Sequence, residues 1–343
     1  MTHAVTNRVP HGGAPAGWLD LSANLNPLGP PAAVQAAVAA AGYAAYADFD
    51  PAPAIDRLAR DSGVDADRIV VSAGATEGLR LVVSRLLGRG GRMLIVGPTY
   101  GEYRRLGHLV GATIREVRAE PSRFDPPIDA IVAEVSAFRP NLIIVCDPNN
   151  PTGRSVGTDG WRRLLDAAGE AHILVDESFA PFRASGTDLP LDDARIVIVR
   201  SLTKVLGIPG VRAGFIVAQP GLAAALRHLA DPWSVGSHAL AAATAGGWGL
   251  DHGARRTIAD WRADLVTALE ARDGTTVPSH SNFVLTTVTG STDSFIGALA
   301  ADQVAVRACA SFGLAGVVRI AVPTPAGLAR LVAALDRARV RAA

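Results

Sequence analysis

Cysteine is scarce in this sequence: Cys146 and Cys309 are the only two in 343 residues. They stand far apart, in neither a Cys-x-x-Cys pair nor a cysteine–histidine metal spacing, which argues against a disulfide framework and a zinc site. Net charge is also nearly absent. Basic and acidic residues number 33 and 32, a formal +1, so no broad basic field recruits nucleic acid. Long apolar runs are missing as well, because charges interrupt the alanine-rich stretches before they reach the roughly 20 residues of a membrane span. The opening segment, Met1 to Arg8, lacks the apolar centre of a signal peptide. The expectation is a cytoplasmic protein without nucleic-acid, membrane or metal partners. No internal repeat, low-complexity linker or helix-turn-helix pattern is visible. The Gly-x-x-x-x-Gly-Lys-Ser/Thr phosphate loop does not occur. Gly88-Arg89-Gly90-Gly91 precedes a strand and fails the dinucleotide-binding spacing.

What the chain does contain is an alternation. Arg68–Val71, Met93–Val96, Leu142–Cys146, His172–Val175 and Ile196–Val199 are short β-branched runs, apolar on both faces. Amphipathic stretches such as Thr76–Leu87 and Gly160–Gly169 lie between them. Strands apolar on both sides belong between two layers of helices, so the expected class is α/β with a mostly parallel sheet. After Gly236 the character changes to long Ala- and Arg-rich helices, a strand pair near Ser281–Thr287 and a closing strand–helix unit. The expected division is a large domain over 40–236 and a smaller α+β domain from 1–39 and 237–343.

Open α/β sheets bind ligands beyond the carboxyl ends of their strands, and those positions are the informative ones. Gly74-Ala75-Thr76 opens the helix after the first strand, where free backbone N–H groups suit a phosphate. Tyr100 follows the second strand. Asp147-Pro148-Asn149-Asn150-Pro151-Thr152-Gly153, Asp176-Glu177-Ser178-Phe179 and Ser201-Leu202-Thr203-Lys204 follow three more. Singly these are a Pro/Gly turn, a solvated strand end and a surface lysine. Together, and in this order, they supply what pyridoxal phosphate needs: a lysine, an anion for its ring nitrogen, a donor for its ring oxygen and a phosphate cradle.

The set resembles the fold-type I pyridoxal-phosphate enzymes of the class I/II aminotransferase superfamily, over nearly the whole chain. The resemblance implies that Lys204 holds the cofactor, Asp176 pairs with the ring nitrogen, Asn150 donates to the ring oxygen and Tyr100 stacks on the ring. It implies a phosphate site from Gly74, Ala75, Thr76, Ser201, Thr203 and Arg212, the last eight residues beyond Lys204. Tyr46 is similar to a tyrosine that reaches the neighbouring subunit's phosphate, which implies a homodimer with shared sites. Arg319 is similar to the arginine that binds a substrate carboxylate, a task for a planar fork.

Two branches of the superfamily compete. His11-Gly12-Gly13, Asn24-Leu25-Asn26-Pro27, Pro232-Trp233-Ser234-Val235 and Arg307 with Ser311-Phe312-Gly313-Leu314 resemble the threonine-phosphate decarboxylases of cobalamin synthesis. On that reading His11, Asn26, Arg307 and Arg319 contact a small phosphorylated substrate, and the expected reaction is decarboxylation to aminopropanol phosphate. Gly74-Ala75-Thr76-Glu77-Gly78 is closer to the histidinol-phosphate aminotransferases, and Gly236 replaces an asparagine of the decarboxylase pattern. Phe179 departs from the aminotransferases, which carry tyrosine three residues after the aspartate. A catalytically silent binding protein on the same fold is the remote alternative; intact Lys204 and Asp176 speak against it.

Overall fold

The computed structural model describes residues 12–47, 51–121, 123–184, 189–288 and 290–342. His11 lies outside them. The chain enters through a two-residue strand, β1 (Leu19–Asp20), and two helices, α1 (Ala32–Ala40) and α2 (Ala52–Ser62). Helix α2 stops at Gly63, whose φ of 65° permits the left-handed turn that lets Val64 N–H bond back to Ala59.

The alternation follows: β2 (Ile69–Ser72), α3 (Ala75–Leu86), β3 (Arg92–Gly97), α4 (Glu102–Leu109), β4 (Thr113–Arg118), α5 (Ile128–Phe138), β5 (Leu142–Cys146), α6 (Gly157–Ala167), β6 (His172–Asp176), β7 (Ile196–Ser201), α7 (Leu202–Val205), β8 (Gly214–Val217) and α8 (Pro220–Leu229). The sheet order is β2-β8-β7-β6-β5-β3-β4. All its pairings are parallel except those of β8, which runs antiparallel to both neighbours. Successive residues feed opposite faces. Ile143, Val145, Ile173 and Val175 enter one core, while Leu142, Ile144 and Leu174 enter the other. Each such side chain stabilises the fold by about 1.5–3 kcal/mol relative to exposure. That double burial is why these strands read as unbroken apolar runs.

The remaining elements are α9 (Ser237–Gly246), α10 (His252–Glu270), β9 (Thr276–Val277), β10 (Phe283–Thr287), α11 (Thr292–Ala300), β11 (Val304–Ala305), β12 (Arg307–Ala308), β13 (Val317–Ala321) and α12 (Pro325–Ala342). Strands β12-β13-β10-β9 form an antiparallel sheet, and β1 pairs with β11. Leu265, Phe283, Ile320 and Leu331 centre a separate core here. The packing moves the division expected at residues 39 and 236. Helices α1 and α9 lie against each other, and Val34, Ala239 and Ala242 join the large core. A break in composition at Gly236 marked a change of helix chemistry, whereas the change of core comes with α10. No helix among the described residues is long and apolar enough to cross a membrane.

Candidate active site

The chain order reverses between β3 and β5, the position where open α/β sheets form a crevice. A cavity of about 720 Å³ lies there, between the large sheet and the β12/β13 edge. Ala75, Thr76, Tyr100, Asn150, Asp176, Ser201, Thr203, Lys204, Arg212, Arg307 and Arg319 all line it. Gly74 stands just behind. Its φ is 85°, and a Cβ there would lie 2.7 Å from Arg212 Nη2, so the glycine makes room for the guanidinium.

Three local features fit the cofactor that the resemblance implies. Lys204, on the short helix after β7, is partly buried, and the pKa of its amine is lowered to about 8, first by loss of hydration and then by Arg319 and Arg212. An amine that loses its proton near neutrality is a nucleophile. Asp176, the last residue of β6, is buried more deeply, and burial raises its carboxyl pKa. Its flanking carboxylates are ion-paired: Asp147 with Arg183 at 2.5 Å and Glu177 with Arg200 at 2.8 Å. Asp176 instead accepts from uncharged donors, Ser178 N–H at 2.9 Å and Tyr103 O–H at 2.7 Å. A cationic ring nitrogen would complete it. Third, the start of α3, which has no side-chain cap among the described residues, lines the cavity with Arg212 and with Ser201 and Thr203, whose hydroxyls are 3.0 Å apart. Such a helix start favours a phosphate. Glu77, at the third position of α3, accepts from Ala73 N–H.

Asn150 and Arg319 are joined, the guanidinium Nη1 donating to the amide Oδ1, while Arg319 Nη2 donates to Ser22 O at 2.7 Å. With its oxygen taken, Asn150 offers its NH₂ as a donor. Arg319 Nε–H has no partner among the described residues, and burial lowers its pKa to about 10. A buried guanidinium with an unused N–H is a place for an anion. Arg307 sits directly opposite Arg319 in the β12–β13 register and donates to Ser311 Oγ at 2.8 Å.

Two expectations lie elsewhere. Asn26 does not line the cavity: its Nδ2 donates to Val205 O at 2.8 Å and its Oδ1 accepts from Leu28 N–H at 3.0 Å, which ties the entry segment to α7. Asn24 lines the cavity in its place, with a buried Oδ1 that lacks a partner among the described residues. Tyr46 is exposed and stacks on Trp233 with ring centroids 4.7 Å apart. The expected contact of His11 falls outside the described residues, although Gly12 lines the cavity. Phe179 lines it too and packs edge-on against Phe283 of the smaller core. Sequence reasoning passed over Tyr103, Glu102 and Arg105. The available signal was spacing, since Tyr103 follows Tyr100 by three residues, one turn along a helix.

The family model described as aminotransferase class I and II matches residues 16–335. A histidinol-phosphate aminotransferase of Symbiobacterium thermophilum is 34% identical over 327 residues, spanning 93% of this chain and 90% of that protein. The histidinol-phosphate aminotransferase of Sinorhizobium meliloti in complex with pyridoxal 5′-phosphate superposes with a TM-score of 0.83 at 21% identity, covering 93% of this chain and 90% of that one. The L-threonine-O-3-phosphate decarboxylase of Porphyromonas gingivalis gives 0.79 at 23% identity, covering 93% and 98%.

Proposed function

The chain belongs to the class I and II aminotransferases, a pyridoxal-phosphate-dependent enzyme family, and from that premise we propose that it transfers the amino group of histidinol phosphate to a dicarboxylic oxo acid such as 2-oxoglutarate. The observation that carries the substrate class is the cross-strand pair Arg307/Arg319, both in the cavity wall. Like charges directly opposite on a sheet repel unless an anion lies between them. A phosphate, with its double charge and several acceptor oxygens, suits both forks at once. On this reading the phosphate of histidinol phosphate leaves neither arginine unpaired. Relatives such as that of Symbiobacterium thermophilum support the aminotransferase over the decarboxylase that the sequence motifs favoured.

The bound cofactor supplies an electron sink for the substrate carbon that carries nitrogen. Lys204 would hold it, then move the proton at that carbon as general base and acid. Asp176 would stabilise the protonated ring nitrogen, and Asn150 NH₂ would hold the ring oxygen. Arg212, Ser201, Thr203 and the start of α3 would anchor its phosphate. Arg307 and Arg319 would orient the substrate, and in the second half of the reaction a dicarboxylate would use the same pair. The exposed Tyr46/Trp233 stack would be covered in a homodimer, the assembly that the resemblance implies.

Decarboxylation of threonine phosphate is the second reading, favoured by Phe179 in place of a tyrosine beside the cavity. One experiment separates them. Incubate the loaded protein with histidinol phosphate plus 2-oxoglutarate, and separately with threonine phosphate, measuring glutamate and carbon dioxide. Glutamate from the first supports the proposal; carbon dioxide from the second without glutamate from the first overturns it.

A further inference from the structure

Tyr103 is a buried phenol that the chemistry above leaves unused. It sits in the first turn of α4, edge-on to Tyr100 with ring centroids 5.6 Å apart. Its hydroxyl lies 2.7 Å from Asp176 Oδ2. Burial pushes the phenol well above its usual range, so it keeps its proton and acts as the donor. Ser178 N–H meets the other carboxylate oxygen at 2.9 Å. Burial works against a charge on Asp176, while the donors Ser178 and Tyr103 work for it. The other ionisable groups around this carboxylate are Cys146 on β5, Tyr100, Lys204 and Glu177, the last neutralised by Arg200. Cys146 also stays protonated through burial.

We infer that Tyr103 is a positioning residue, holding the Asp176 carboxylate charged and oriented for the ring nitrogen of the cofactor. The inference rests on the assignment of Asp176 to that nitrogen and is independent of the substrate. Both carboxylate oxygens then have a fixed donor, so the group cannot rotate away when a cation approaches.

The test uses the full chain loaded with pyridoxal phosphate labelled with ¹⁵N in the ring. In Tyr103→Phe the ring-nitrogen resonance should move toward that of neutral pyridine. Cofactor affinity at neutral pH should fall about tenfold or more, the effect of removing a hydrogen bond to a charged group. The acid limb of that affinity should move to higher pH, because a carboxyl without its donor takes up a proton sooner. Replacing Tyr103 by 3-fluorotyrosine, a stronger donor of nearly the same shape, should move the acid limb the other way. That second variant decides the matter if Tyr103→Phe does not fold. An unchanged resonance and acid limb in Tyr103→Phe, or an unchanged limb in the fluorotyrosine protein, overturns the inference even if affinity falls. Asp176→Asn separates the two layers: if it leaves the resonance unmoved, the assignment of Asp176 itself is overturned, and this inference with it.

Discussion

Lys204 shows how a single residue is made reactive by its surroundings. Burial costs the ammonium its hydration, and Arg319 and Arg212 repel it, so its pKa falls to about 8. A lowered lysine value means that the neutral amine predominates above about pH 8 and is scarce below it. The rate at which cofactor-free protein takes up pyridoxal phosphate should therefore rise about tenfold per unit of pH below that value and level off above it. A stopped-flow absorbance series across pH checks this, and Lys204→Ala should form no covalent link at any pH. A plateau only near pH 10 would mean that the burial has been misjudged. Phe179 makes a second point at this scale. It lines the cavity with an apolar side chain, so on the proposed reading Phe179→Tyr would add a hydroxyl beside the ring oxygen assigned to Asn150. The added donor favours the deprotonated chromophore, and the spectral pH transition of the loaded protein should move to lower pH. No shift, or an upward one, would place Phe179 away from that oxygen.

The elements carrying these residues are held by buried ion pairs that local patterning does not disclose. The Asn150 loop is fixed from below by Asp147, which accepts from Trp161 Nε1 at 3.0 Å and pairs with Arg183 just beyond Phe179. Arg183→Met should destabilise the protein by roughly 3–5 kcal/mol, because an unpaired carboxylate would be left in the interior. A urea titration read by tryptophan fluorescence would show it, and a loss below about 1 kcal/mol would mean that water reaches Asp147. The sheet itself was legible because strands such as Leu142–Cys146 are apolar on both faces, and β-branched runs of that length admit few other readings. The turns were legible because glycine and proline punctuate them. Strand β8 was harder to read: Gly214-Phe215-Ile216-Val217 is only four residues long and follows the Lys204 segment closely. Strand β4, Thr113-Ile114-Arg115-Glu116-Val117-Arg118 at the sheet edge, carries three charges and breaks the alternation that marks a strand. The ends of strands point at chemistry, but an arginine's partner 36 residues away, such as Asp147 for Arg183, depends on tertiary packing.

Across the whole molecule, the two tasks proposed for the cavity fall to two cores. Asp176 at the end of β6, Lys204 in α7 and Asn150 and Arg212 in loops flanking β5 and β8 belong to the large sheet's rim, whereas Arg307 and Arg319 come from the small sheet. Sequence motifs singled out both sets but not their juxtaposition; the pairing of β12 with β13 is what puts the two arginines opposite each other. The two tasks should therefore separate under mutation. Arg212→Ala should weaken cofactor retention, seen as a smaller rise in thermal midpoint at a fixed pyridoxal-phosphate concentration, since bound ligand stabilises in proportion to the logarithm of its concentration over Kd. Arg307→Ala should leave that rise unchanged and instead increase KM for the phosphorylated amine by roughly thirtyfold, as for loss of about 2 kcal/mol at a charge-assisted contact. Arg319→Ala should do both, because its Nη1 holds Asn150 on the large core while its Nε–H remains available to an anion. Steady-state kinetics with histidinol phosphate and melting curves with and without cofactor read the two effects independently. If Arg307→Ala lowers the cofactor-induced rise as much as Arg212→Ala does, the arginine pair serves the cofactor rather than the substrate, and the division between the two cores is wrong.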